Sequence, residues 1–317
     1  MAASAGGVST LPPHLACYTE AVRRLIINAD DFGLTRGVNR AIFEAQERGV
    51  VTSTTLMANS HAFDDAAEKT ISSARAGGHL SVGCHVVLVD GEPLLPAYRV
   101  ATLLQRNASN GRPRFRDSLN DFVAASFRNK LNPSEIEAEA AAQIERIQAA
   151  GVELSHFDTH KHAHMFPAVL RPLLRAASAR KVRAVRNPFG QVWPLPWTSV
   201  LRTRRLWKRF AQLNVLRRFA ANFRQEVEAH GLRTTDGSLG VLVTGVLDLP
   251  LFTAIIESMP EGTWEFVCHP GYNDSDLDSV QTRLRQSREQ ELAVLTSKEA
   301  KELLRRQRVE LISYHDL

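Results

Sequence analysis

"LIINADDFGL" (25–34) runs from apolar residues into two adjacent carboxylates, Asp30 and Asp31, and then into Phe32-Gly33. A short β-type run that ends in acids is expensive to bury, because like charges repel and both lose water. Such a pair makes sense where a strand delivers polar groups to a site at its C-terminal end.

The rest of the chain repeats that layout. "GVNRAIFEAQERGV" (37–50) has helical spacing, "VTSTTLMAN" is β-branched, "FDDAAEKTISSARAG" is helical and "LSVGCHVVL" is strand-like. A Pro- and Gly-punctuated loop covers about 91–118. "SLNDFVAASFRNK" and "SEIEAEAAAQIERIQAAG" then read as helices, the second with Ser134 as N-cap and Gly151 as terminator. "LSHFDTH", "VRAVRNP", "LGVLVTG", "WEFVCHP" and "VELISY" read as further strands, with "PAVLRPLLRAASARK" as a helix among them. Alternating strands and helices with no central linker and no repeat predict one (β/α) barrel-like domain over 24–317. It would hold seven or eight βα units, with insertions near 91–118 and 190–235. An open doubly wound sheet is the alternative.

Composition narrows the class. The 317 residues are 44% hydrophobic and 23% charged, enough for a large core without staples. Three scattered cysteines, Cys17, Cys84 and Cys268, favour reduced thiols over a disulfide framework. Residues 1–23 lack a basic start and an apolar run, so they read as a flexible leader rather than a signal peptide. No stretch approaches the roughly 18 apolar residues of a membrane span. A cytoplasmic protein is expected, with oligomeric state open, a homodimer included.

The net charge of +5 is concentrated in "LRTRRLWKRFAQLNVLRRFAANFR" (201–224). Its apolar residues recur at helical spacing, so a helix with a solvated basic face is the simplest reading. No recognition motif accompanies the charge, and nucleic-acid binding is not expected.

Four predicted strands end in acids or histidines: Asp30-Asp31, Cys84-His85, Asp158-Thr159-His160 and Cys268-His269. Together they outline one polar site. Carboxylate and imidazole are ligands of a catalytic divalent metal, so one carboxylate and two histidines would form a three-ligand centre. In "HFDTHKHAHMFP" (156–167) alternate residues of an extended segment share a face, which would align Asp158, His160 and His162. His156 and His162 are equally open to structural roles. By the same alternation Asp30 and Asp31 face opposite ways and divide their duties, one binding metal and one serving as base. The residues alone do not say which. His269 is placed to donate a proton to a leaving group, while Cys84 and Cys268 face packing. No nucleotide-loop or serine-nucleophile signature is present.

These stretches, with "VRNP" and "VCHPGYND", resemble the YdjC-type carbohydrate deacetylases, related to chitooligosaccharide deacetylases, over about residues 24–300. The resemblance implies a barrel-like fold and hydrolysis of an N-acetyl group on a sugar or oligosaccharide. It implies Asp31, His85 and His160 as metal ligands, Asp30 as base and His269 as acid. Asp158, His162 and Arg186 would support them or touch substrate. Magnesium is the metal it implies, whereas two imidazoles suit zinc or another transition ion equally well. "TTDGSLG" (234–240) and the basic stretch depart from the family pattern, so oligosaccharide specificity does not transfer. A glycoside hydrolase, or an inactive sugar- or partner-binding protein of the same fold, are the rival readings.

Overall fold

The computed structural model describes residues 22–105, 111–190 and 217–317. Strand β1 (Arg23–Phe32) is its axis. All seven neighbouring strands run parallel to one another: β2 (Ser53–Leu56), β3 (Ser81–Val86), β4 (His156–Thr159), β5 (Ala184–Val185), β6 (Gly237–Leu239), β7 (Gly262–Cys268) and β8 (Val309–Leu311). The order across the sheet is β5-β4-β3-β2-β1-β7-β6. Strand β8 pairs with Arg23–Leu25 of β1, below the stretch from Asn28 that pairs with β2. It fills the splay between those two strands.

The sheet curls rather than staying open. Its two edges meet where Ala184 of β5 pairs in parallel with Arg233, just before β6. Val185 N–H donates to Arg233 O at 2.9 Å, and Arg233 N–H to Arg183 O at 2.8 Å. This barrel-like closure excludes the open doubly wound alternative. Helices cover the outside, as parallel strands buried on both faces require.

Strand alternation separates two cores. Leu25, Ile27 and Ala29 join the main core under the helices, whereas Ile26 packs inside the barrel with Ala184 and Tyr314. Asn28 and Asp30 continue the inward face of Ile26. The same alternation sends Cys84, Phe157 and Cys268 outward into the main core. Both described cysteines are buried free thiols.

Local signals place the helices. Helix α1 (Arg36–Glu47) begins where Thr35 Oγ1 accepts from Val38 N–H at 3.1 Å, and it buries Val38, Ala41, Ile42 and Ala45. After α2 (Phe63–Arg75) and α3 (Leu119–Phe127), helix α4 (Pro133–Ala149) is capped by Asn132, not Ser134. Pro133 occupies the first helical position, where a missing N–H costs nothing, which moves the cap one residue before it. Gln143 on α4 clasps both backbone groups of Val87 at 2.8 Å, tying this helix to the end of β3. Helix α5 (Pro167–Ala179) follows β4.

Some expectations shift. "LGVLVTG" is not a strand: β6 ends at Leu239, Gly240 takes a left-handed turn (φ 85°), and Val241–Val243 form a 3-10 turn. The turn at Gly240 breaks the apolar run that looked β-like. The leader expectation falls on residues 1–21, outside the described residues, and β1 already begins at Arg23. Most of the basic stretch, through 216, also lies outside them. Its end forms the helix Ala220–Ala229, with Phe223 buried. Among the described residues no helix is long and apolar enough to cross a membrane.

Candidate metal centre and active site

The C-terminal ends of β1, β3, β4 and β7 open into a cavity of about 1350 Å³ lined by Asp30, Asp31, His85, His160, His162 and His269, among others. The two acids of β1 reach it by different routes. Asp30 follows the inward alternation of Ile26 and Asn28. An extended Asp31 would face the outer helices, but its backbone is left-handed (φ 66°), at a register irregularity between Ala29 and Phe32. That strained residue turns its carboxylate back to the site, so both acids face one cavity rather than opposite sides.

Asp31 Oδ1 lies 3.6 Å from His85 Nε2 and 3.5 Å from His160 Nδ1, and the two imidazole nitrogens are 3.3 Å apart. Ligand atoms about 2.1 Å from a shared ion lie roughly 3.0 Å apart at right angles and roughly 3.4 Å apart tetrahedrally. The triangle therefore fits one divalent ion with its remaining face open. The charge inventory points the same way. Around the cavity lie five buried acids (Asp30, Asp31, Asp158, Glu265, Glu291) against two buried arginines, Arg186 and Arg288, and a His85 whose positive charge a bound metal would replace. Unbalanced buried charge costs several kcal/mol per ion, a cost a dication offsets.

The second nitrogen of His85 is already committed. Nδ1 sits 2.7 Å from Asp158 Oδ1 and 3.1 Å from Thr55 Oγ1, which leaves Nε2 directed at Asp31 and His160. Burial lowers the pKa of His85, but Asp158, with Asp30 and Asp31, outweighs burial and holds it at about 9.

Asp30 is gripped by Arg186, whose two terminal nitrogens donate to Oδ2 at 2.8 Å and Oδ1 at 2.6 Å. Asn28 and Thr55 also donate to Oδ1, at 3.0 and 3.3 Å. Oδ2 is the less loaded oxygen, and it lies 3.9 Å from His269 Nε2. Burial alone would raise the Asp30 pKa, but Arg186, with His85 and His269, holds it well below the usual range. Arg186 also pairs with Asp158 and with Glu265, 2.8 Å away. Glu265 in turn accepts from Tyr314 Oη at 2.6 Å.

The histidine cluster divides. Strand β4 ends at Thr159, and left-handed Lys161 and His162 curl the chain into a 3-10 turn over His160–Met165. The shared extended face expected for Asp158, His160 and His162 is therefore absent. Asp158 and His160 still converge on His85, and His162 lines the cavity wall. His164 is buried against Thr159 Oγ1 at 2.6 Å and pins the turn. His156 lies in the barrel, stacked on Tyr314 at 3.6 Å. Burial, then Arg186, lowers its pKa far enough to keep it neutral.

Of the residues that escaped the sequence reading, two lie on the helix Gln286–Thr296 that follows β7. Arg288 donates to Asp31 Oδ2 at 2.6 Å, and Glu291 accepts from the His269 backbone N–H at 2.5 Å. They are spaced three apart in "SREQEL", which reads as an ordinary solvated helix face. No pattern in the sequence distinguishes them.

Comparison with known proteins places the chain in a family. Residues 24–306 match the family described as YdjC-like protein. The chain is 32% identical over 295 residues to a carbohydrate deacetylase of Brevibacillus brevis, covering 93% of this chain and 99% of that one. It is 33% identical to a carbohydrate deacetylase of Geobacillus stearothermophilus over 93% of this chain and 98% of that one. A solved structure from Enterococcus faecalis, titled a putative cellobiose-phosphate cleavage protein, superposes with a TM-score of 0.69 at 27% identity, covering 93% of this chain and 98% of that one. The chain belongs to the YdjC-like protein family.

Proposed function

We propose that this protein is a divalent-metal-dependent hydrolase that removes an N-acetyl group from an acetylated sugar or oligosaccharide and releases acetate. Its being a carbohydrate deacetylase rests on its family and on relatives of that name that align along nearly their whole length. The observation that carries the chemistry is the Asp31–His85–His160 triangle beside the Asp30–His269 pair.

The metal ligands in this reading are Asp31, His85 and His160. A divalent ion there supplies Lewis-acid polarisation of the acetamide carbonyl. Magnesium follows from the resemblance, and the two imidazoles suit zinc or another transition ion. Arg186 keeps Asp30 ionised and fixed, and Asp30 Oδ2 takes a proton from the water that attacks the carbonyl carbon. His269 Nε2, 3.9 Å from Asp30 Oδ2, gives a proton to the nitrogen as the C–N bond breaks. A C–O bond has then formed, and acetate and a free amine leave. Asp158 fixes the His85 tautomer, and Glu291 holds the backbone of His269.

The wall beyond the acids suits a sugar ring. Phe127, Phe166 and Phe219 form an edge-to-face series with centroids 5.9 and 6.5 Å apart, alongside Asn59, Gln105 and Arg114. Apolar ring faces and polar hydroxyls both find partners there. A glycoside hydrolase would need two carboxyls flanking a glycosidic bond with one able to carry a proton. Asp30 and Asp31 are instead each clasped by an arginine.

The test is acetate release from N-acetylated oligosaccharides after chelation and add-back of Mg²⁺, Zn²⁺, Mn²⁺ or Co²⁺. Loss on chelation with recovery on add-back is expected. Shortened sugars without acetate, or activity indifferent to chelation, would overturn the reading.

A further inference from the structure

Asp31 has two oxygens in different surroundings. Oδ1 faces His85 and His160, whereas Oδ2 receives Arg288 at 2.6 Å. The guanidinium is anchored from three sides. Its Nε donates to Leu284 O at 3.1 Å, one terminal nitrogen reaches His269 O at 3.5 Å, and the other holds Asp31. Arg288 is 1% exposed, so water does not compete for these bonds. Its stem crosses Gly271, where an added Cβ would come within 2.8 Å of Arg288 Cδ. Gly271 of "CHPGYND" thus leaves the channel through which Arg288 reaches the site.

An unclasped carboxylate can offer both oxygens to one cation. We infer that Arg288 is a positioning residue that occupies Asp31 Oδ2 and thereby restricts Asp31 to one-oxygen ligation, leaving an additional ligand position for substrate. The left-handed backbone at Asp31 aims the carboxylate inward, and Arg288 sets its rotation about the last bond. Neutralising a buried acid alone would not need a three-point anchor on the arginine. Because Arg288 also contacts His269 O, the same side chain links the ligand side of the site to the proton-donor side.

This inference rests on the metal reading above, and a metal titration separates the two. The full-length protein, stripped of metal, is titrated with Zn²⁺. If the wild type binds none, the metal reading itself fails and this inference with it. If it binds one equivalent, infrared difference spectra with aspartate side-chain ¹³C labelling report the carboxylate stretches. One-oxygen ligation gives a wide separation of the antisymmetric and symmetric bands, and two-oxygen ligation a narrow one. The wild type is expected to show the wide separation, Arg288→Lys to retain it, and Arg288→Met to narrow it with lowered kcat and little change in KM. A narrow separation in the wild type would overturn the inference. So would a wild-type spectrum in a folded Arg288→Met protein. If Arg288→Met does not fold, the wild-type separation and its retention in Arg288→Lys decide the matter.

Discussion

Asp30 and Asp31 are covalent neighbours whose surroundings have little in common. Asp30 continues the regular inward face of β1 and is held by Arg186, which follows β5 in the barrel wall. Asp31 sits in a left-handed irregularity and is held by Arg288, from a helix outside the sheet. Arg186 is shared by three carboxylates, Asp30, Asp158 and Glu265, in a buried network that spans the barrel. Arg288 makes its one carboxylate bond to Asp31 among the described residues. Asp30, the proposed base, is thus embedded in the fold's interior, while Asp31, the proposed ligand, is set by an added clasp. Adjacent acids here acquire separate surroundings from the cations beside them, Arg186 for Asp30 and Arg288 for Asp31.

The comparison can be broken most sharply on the ligand side. Asp31→Ala and His160→Ala are each expected to abolish metal binding and lower kcat/KM by about a thousandfold or more, read by acetate release. Near-normal rates in either protein would remove the triangle from the account. On the shared boundary, Asp158→Asn deprives His85 Nδ1 of its charged acceptor. Metal affinity should fall by about 10- to 100-fold in calorimetry. Unchanged affinity would mean that Asp158 serves Arg186 alone.

On the base side, Tyr314→Phe leaves a buried Glu265 oxygen without its 2.6 Å donor. Urea denaturation should show a loss of about 1–3 kcal/mol with metal affinity unchanged. A parallel loss of metal would show that the two networks are one. The smallest effect belongs to the outer wall, where Phe127 is 66% exposed and free to meet a ligand. Phe127→Ala should raise KM for an oligosaccharide by roughly fivefold, about 1 kcal/mol, without changing kcat. A lowered kcat with unchanged KM would move Phe127 from binding to chemistry.

Much of this site was legible in the sequence because parallel α/β folds bring strand ends together. Asp30, His85, Asp158, His160 and His269 each close a β-type run, and the structure gathers them in one cavity or its lining network. The extended geometry assumed beyond those ends was the weak step. One left-handed residue turned Asp31 inward, and two more curled His160–His164 into a 3-10 turn. Backbone angles of that kind leave no mark when Asp, Lys and His adopt them in place of glycine. Arg288 and Glu291 were hidden for another reason. Charged residues on a helix read as solvated until the tertiary packing is known, and here the helix turns them toward β1 and β7. The closure at Ala184 and Arg233 was likewise invisible, since a single bridge has no periodicity to detect.

The central claim is that the neighbouring acids divide base and ligand roles, and Asp30→Asn and Asp31→Asn test it side by side. Each metal-free protein is titrated with Zn²⁺ by calorimetry and then assayed for acetate release. The account predicts that Asp30→Asn binds one equivalent yet loses activity, whereas Asp31→Asn loses both binding and activity. Metal binding lost in Asp30→Asn and kept in Asp31→Asn would reverse the assignment, and equal retention in both would contradict it.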